Sequence, residues 1–474
     1  MIQGMKIQLY FQILHFWFKV WLNSKTTLII MSREEQIVLA LQKADGICPG
    51  DGAPIEKHQK MAANPFRFFR GAAGLFYDDI AAGILSIPED LNAHLPITTV
   101  QGDCHLSNFG FLTEEGSHGD KVIFSPNGFD DACLGYASWD LVRFGVSILL
   151  AQDYCEGIVR GEFSSEEIDS IEGLQATSAE GAIVAIQGFV QSYIEQCQVL
   201  LGDDKARHKV VNKFDKAHAL YPFCKKAKKR ASGGKQFYSK SALAKAVDLT
   251  GFVPVFDLSS DKFEALDDAL YREIFEVFSP YVDDNILDIT RRLGAGTGSI
   301  NMDRFYLLVG PQDYMDEEDL QLCHIVEVKE QRMAAPLTHF ETLSPVNRLN
   351  PAHLTVSCQR RMQRKPDLVL DEVEWRDSHW LVRSRHHSKV GIDPEDICIL
   401  SASPDEALLQ YVQSCGQALA IAHSRGDRRS TRFEQAVCEY LPEHADDILD
   451  VCLTYAVQVQ EDTQILRALN NPND

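Results

Sequence analysis

The chain has 474 residues, with 46 Lys and Arg against 68 Asp and Glu, and a formal net charge of −22. Its 45% hydrophobic and 24% charged residues supply material for a large core and exclude a disordered or fibrous chain. The acidic balance argues against a general nucleic-acid binder, which needs a cationic footprint, and the 12 cysteines include no CxxC pair, which leaves buried free thiols in a reducing cytoplasm as the expectation.

Residues 1–30 stand apart. The apolar run from Ile7 to Leu22 is interrupted by Gln8, Gln12, His15 and Lys19, so it is too short and too polar for a stable membrane span. No small-residue cleavage site follows it. Met31-Ser32-Arg33-Glu34-Glu35 reads as a typical soluble beginning, so translation is expected to start at Met31 rather than Met1, with an interfacial anchor as the alternative.

Pro65-Phe66-Arg67-Phe68-Phe69-Arg70-Gly71 leads into an apolar stretch that is expected to be a helix through Ala82. Ile97–Val100 then reads as a short strand that ends at Gly102-Asp103-Cys104-His105-Leu106-Ser107-Asn108. Phe109–Leu112 and Val122–Phe124 flank a turn-rich segment and form a hairpin. It runs into Asn127-Gly128-Phe129-Asp130-Asp131, and a long helix follows from Trp139-Asp140-Leu141. Glu166 to about Val247 reads as helices with one basic island, Lys225–Arg230, expected to be a solvated helix end or loop, with a localisation or nucleic-acid patch as the alternative. Beyond Arg291 a glycine turn, Gly294-Ala295-Gly296-Thr297-Gly298-Ser299, precedes strands at Phe305–Val309 and His324–Lys329. Leu408–Arg425 is helical.

Two constellations carry chemistry. An Asp five residues before an Asn, in a loop entering a hairpin, suits phosphoryl transfer: Asp103 accepts or orients the proton of the nucleophile, and Asn108 binds a magnesium that neutralises phosphates. The hairpin returns the chain to the same place, where Asp130 or Asp131 completes the metal site. Asp140, near the start of the next helix, can brace the loop through its backbone amides, and His105 supports it. The same residues could simply shape a tight turn; the hairpin with a second acidic pair in order favours function. The glycine turn Gly294, Gly296, Gly298 and Ser299 with the strand residue Lys329 is suited to cradling phosphates. A dinucleotide fold would require G-x-G-x-x-G opening a helix, whereas here a strand follows.

These segments resemble the bacterial domain of unknown function 2252 family, which is placed with the protein-kinase-like folds and related to aminoglycoside phosphotransferases. The resemblance spans about residues 55–430. It rests on Asn64-Pro65-Phe66 with Phe69-Arg70-Gly71, on Gly102–Gly110, and on Phe129-Asp130-Asp131-Ala132. Trp139–Arg143, Gly296–Ser299, Val328-Lys329-Glu330 and Ala418–Arg425 also match. It implies Asp103 as base, Asn108 as metal ligand, and ATP and Mg²⁺ as cofactors. Gly128 stands where the family pattern usually has an aspartate, so Asp130 or Asp131 is expected to substitute.

An ordinary kinase runs glycine loop, strand lysine, catalytic loop, metal aspartate. Here the catalytic loop comes first, near residue 103, and the glycine loop near 296. Together with the resemblance, this order implies an α+β, two-lobed, circularly permuted kinase-like fold. The expected division is an extension at 1–30, a catalytic-loop lobe at 31–280 with a helical insert at 160–280, a nucleotide-binding β region at 285–400, and helices at 405–474 that complete the first lobe. The expected function is transfer of phosphate from ATP to an unidentified small-molecule or protein hydroxyl. The alternatives are an ATP-binding pseudokinase and an adenylyltransferase on the same fold. Oligomeric state is not legible.

Overall fold

The computed structural model describes residues 31–50, 52, 54–117, 119–294, 302–427 and 430–471. The expected extension at 1–30, and Gly296, Gly298 and Ser299 of the glycine turn, lie outside the described residues. The rest is a mixed α+β chain in which every strand pair is antiparallel.

Ser32 opens α1 (Arg33–Asp45) through a capping box closed by Glu35. Asn64 caps α2 (Pro65–Gly71), with Pro65 where a helix has no use for its missing N–H. A break at Ala72 separates α2 from α3 (Ala73–Ala82), which ends where the sequence places a helix end, and the lead-in at 65–71 is a helix of its own. The strand β1 (Thr98–Val100) feeds the loop at 101–108. Beyond it, β2 (Phe109–Thr113) and β3 (Val122–Pro126) pair from Phe109↔Pro126 to Thr113↔Val122, as the turn chemistry between them predicts. The chain then returns in β4 (Cys133–Gly135), which pairs with β1, and enters the long helix α4 (Ala137–Arg160).

The next stretch contains α5 (Ala179–Gly202) and α6 (Tyr221–Arg230), but 161–178 and 209–220 are not helical as expected. Short strands β5 (Val247–Asp248), β6 (Val255–Phe256) and β7 (Phe263–Glu264) and the helix α7 (Asp268–Phe278) precede β8 (Asn285–Arg292), β9 (Arg304–Gly310) and β10 (His324–Gln331). Then come α8 (Pro351–Met362), β11 (Leu370–Trp375), β12 (Ser378–Arg385), β13 (Val390–Gly391), α9 (Pro404–Gly426) and α10 (Ala445–Asn470). Strands β11-β12-β10-β9-β8-β7 form one sheet in that order, and β13 joins the hairpin as β13-β2-β3.

Side chains alternate across a strand, and the six-stranded sheet uses both faces. Phe305, Leu307, Val326 and Val328 pack one face against Ile274 and Phe278 of α7 and against Trp375 and Trp380. Tyr306, Leu308 and Ile325 join Phe237 and Phe256 on the other. Because β7 and α7 belong to this packing, the chain enters the β region upstream of residue 285. The larger core joins α2–α5, α9 and α10, with Phe144 stacked on Phe189 at 4.2 Å. Each such buried aromatic contributes roughly 1.5–3 kcal/mol. All 12 cysteines are free, and ten of them are buried. Among the described residues, no helix is long and apolar enough to cross a membrane.

Candidate functional site

The loop after β1 owes its shape to buried partners. Asp140, fully buried at the start of α4, accepts the backbone N–H of Gln101 at 2.6 Å and of Gly102 at 3.0 Å. His423 of α9 reaches the same carboxylate at 3.0 Å, its other ring nitrogen meets the Tyr193 hydroxyl at 2.8 Å, and its carbonyl accepts the Thr98 hydroxyl at 2.6 Å. Gly102 has φ 77°, and a Cβ there would sit 1.9 Å from the Asp131 carbonyl oxygen, so only glycine serves. Asp140 therefore does not reach the cleft. It braces the loop through the Gln101 and Gly102 amides and is not among the cleft-lining residues.

Asp103 points into the cleft. The Arg143 guanidinium, one turn beyond Asp140 on α4, donates to Asp103 Oδ1 from Nε at 2.9 Å and from Nη2 at 2.6 Å. Its Oδ2 lies 3.6 Å from His105 Nε2. Burial would raise the Asp103 pKa, but Arg143 and then His105 outweigh it and hold the carboxyl below its usual range. His105 is pushed down to about 4, chiefly by burial, so it is neutral at pH 7, and its Nδ1 is buried without a hydrogen-bond partner.

Asn108 donates to the Asp103 carbonyl at 2.7 Å, which fixes its amide across the loop. Its Oδ1 lies against Gly128, where a Cβ would come within 2.9 Å of it. Asp130, two residues on, pairs through Oδ2 with Lys329, while its Oδ1 is buried and has no hydrogen-bond partner. Burial would raise the Asp130 pKa; the Lys329 and Arg383 charges reverse that and hold it low. Asp131 has a different occupation. Arg332 grips both its oxygens at 2.8 and 2.9 Å, and the Ala335 N–H donates at 2.7 Å. Its carboxylate is thereby committed to joining the loop to the segment after β10, which leaves Asp130 as the aspartate of the pair with an oxygen free of hydrogen bonds.

The β sheet supplies the opposite wall. On β10, Glu327 and Lys329 share a face, with Arg383 of β12 opposite Glu327 and Arg304 of β9 opposite Lys329. Glu327 accepts from Arg304 at 3.1 Å and from Arg383 at 2.8 Å. Arg70 and Lys389 also line the cleft, and no ion pair engages either among the described residues. Lys389 is pushed down to about 8 by burial and by the neighbouring Arg385 and Arg383 charges. Gly294, at the end of β8, has φ 61°; Met302 and Arg304, where the chain re-enters β9, line the cleft.

The structure thus brings Asp103, His105, Asn108, Asp130, Asp131 and Lys329 to one cleft. The sequence reading missed Arg70, Arg143, Arg304, Arg332, Arg383 and Lys389. Arg143 was discoverable, since it falls three residues after Asp140 and therefore one helical turn away. The others acquire a role only through cross-strand pairing or side-chain packing. Among the described residues, no three His, Cys, Asp or Glu side chains cluster as a metal site. Asn108 and the partnerless Asp130 Oδ1 suit magnesium nonetheless, because that ion usually takes one or two protein oxygens and completes its shell with phosphates and water.

The family model described as an uncharacterized protein conserved in bacteria (DUF2252) matches residues 53–160 and 175–469, and the chain belongs to that family. No curated protein and no solved structure matches it.

Proposed function

We propose that this DUF2252 member is a circularly permuted, two-lobed kinase-like phosphotransferase that uses ATP and Mg²⁺ on a hydroxyl acceptor. The observation that carries the proposal is the meeting of Lys329 with Asp130, beside Asp103 and Asn108, in a cleft rich in arginine and lysine. Nothing local to either segment requires that meeting. A polyphosphate needs cations along its length and an oxygen-lined place for its metal.

In this reading Arg304, Lys329, Arg383 and Lys389 hold the phosphates. Asn108 and Asp130 would hold magnesium, whose charge would offset that of the phosphate oxygens. Asp103, oriented by Arg143, positions the acceptor hydroxyl and takes its proton as the acceptor oxygen bonds to the γ-phosphorus and the bond to the β,γ-bridging oxygen breaks, releasing ADP. The depressed basicity of Asp103 suits a late proton transfer to a group that chiefly orients the nucleophile.

One observation favours a second reading: Gly128 stands where a further carboxylate would strengthen the metal site. On that ground an ATP-binding protein without turnover is the alternative, and adenylyl transfer is the third. Calorimetric titration of ATP with and without magnesium, followed by phosphorus NMR of the products, separates them. Phosphotransfer yields ADP, adenylyl transfer yields pyrophosphate, and a pseudokinase binds ATP without yielding either. Absence of ATP binding under all conditions defeats all three.

A further inference from the structure

Between Tyr221 and Val247 the chain carries eight Lys or Arg residues and no Asp or Glu, although the protein as a whole is at −22. These cations come from α6 and from the turns that follow it, which fold back on one another. The Gln236 N–H donates to the Lys229 carbonyl at 2.8 Å, the Lys240 N–H to the Gln236 carbonyl at 2.8 Å, and the Lys245 N–H to the Ser241 carbonyl at 3.2 Å. No ion pair engages any of the eight among the described residues. Lys225, Lys226, Lys228 and Lys229 are exposed. Arg230 Nε is buried with no hydrogen-bond partner. Burial, and then the charges of Arg230, Lys226, Lys262 and Lys240, lower the Lys245 pKa, as expected where like charges are gathered.

An apolar projection rises beside this patch. The hairpin β5–β6 starts two residues after Lys245 and is tied back to it by the Asp257 N–H donating to the Ala246 carbonyl at 3.0 Å. At its tip Phe252 is 98% exposed, with Val253, Val255 and Leu258 also exposed nearby. The three carboxylates in this hairpin region are Asp248, Asp257 and Asp261; the first two accept backbone N–H groups of their own turns. From Lys225 to Lys262 there remain nine cations against three carboxylates, a surplus of six.

We propose that this face docks the protein peripherally on an anionic lipid surface, with the cations over the headgroups and Phe252 with its aliphatic neighbours at the acyl boundary. Clustered lysines contribute about 1 kcal/mol each near such a surface, and an exposed apolar group buried there adds a salt-independent component. The apolar part separates lipid from nucleic acid. Val253, Val255 and Leu258 have no ring face on which a base could stack, but they can enter a bilayer interface. The inference is independent of the chemistry in the cleft.

Flotation of the full chain with vesicles of phosphatidylcholine alone, or of phosphatidylcholine with phosphatidylglycerol, tests it. Binding is expected only to the second, and it should weaken as salt rises. Replacing Lys225, Lys226, Lys228 and Lys229 by Gln keeps helix propensity close to that of lysine and should lower affinity on the order of 100-fold. Phe252→Ser should lower it about 10-fold and leave a larger relative salt dependence. Unchanged melting temperatures would show that both variants fold. Equal binding to both vesicle types, unchanged binding by the four-lysine variant, or retention of single-stranded DNA with no vesicle binding would each overturn the proposal.

Discussion

Lys329 and Asp130 form an ion pair although 199 residues separate them in the chain. One lies near the end of β10 in the six-stranded sheet and the other follows the β2–β3 hairpin, so this contact joins the two walls of the cleft. Burial pulls the Lys329 pKa below its ordinary value even though Asp130 acts to raise it. An anion entering the cleft would give a counter-charge to Arg70 and Lys389, which no ion pair engages among the described residues.

Asp103→Asn should leave ATP affinity within a few-fold and lower turnover by about 10²–10⁴, the usual range for a lost general base. Steady-state phosphotransfer alongside calorimetric ATP binding checks this. Undiminished turnover would remove Asp103 from the mechanism.

Asp130 and Asp131 should respond differently to removal. Asp130→Ala is expected to abolish the magnesium dependence of nucleotide binding. Asp131→Ala should keep that dependence but destabilise the protein by about 1–3 kcal/mol, because a half-exposed Arg332 and the buried Ala335 N–H lose their acceptor. Magnesium titrations and urea unfolding of the two variants decide. Loss of metal dependence in Asp131→Ala alone would reverse the assignment.

Gly128→Ala is predicted to act on metal binding through Asn108. The added methyl would lie 2.9 Å from Asn108 Cγ and Oδ1, and the amide cannot retreat without losing its bond to the Asp103 carbonyl. Magnesium affinity should fall about 10-fold or more, with a stability loss of about 1–3 kcal/mol. A variant with wild-type magnesium affinity would show that Asn108 Oδ1 is not a ligand.

His386 lies between Asp367, 3.2 Å from its Nε2, and Glu115, 3.3 Å from its Nδ1. Burial favours the neutral ring, but the two carboxylates prevail and raise its pKa to about 9. A pKa raised on folding stabilises fully below the unfolded value, near 6.5, and the contribution is lost as pH rises through 9. Its size is up to about 3 kcal/mol. His386→Gln should therefore show a shallower fall in unfolding free energy between pH 6.5 and 9 than the parent chain. Both carry the opposing titration of Lys389, so the difference isolates His386. Parallel curves would refute the assignment.

Much of the local structure is written locally. The β2–β3 hairpin, the strands at 304–310 and 324–331, and the turn that presents Asp103 and Asn108 depend on alternation, turn residues and short loops, and all are recoverable from residue order alone. The same rules failed where packing overrode periodicity. Helix α2 ends at Ala72, and the stretches at 161–178 and 209–220, within the region read as helices, are irregular.

The sequence by itself determined which side chains stand in the loop, on the hairpin and on one face of β10, because each of those placements needs only neighbours within a few residues. Tertiary structure decided what each one does. It gave Asp131 to Arg332 and left Asp130 Oδ1 open, made Asp140 a brace through His423, and set Arg304 and Arg383 on either side of Glu327. Sequence order favours Asp130, which directly follows Phe129 at the end of the hairpin, but it does not show what either carboxylate meets. The two part only when backbone direction and the arrival of charges from distant segments give one carboxylate a full set of partners and the other an oxygen with none.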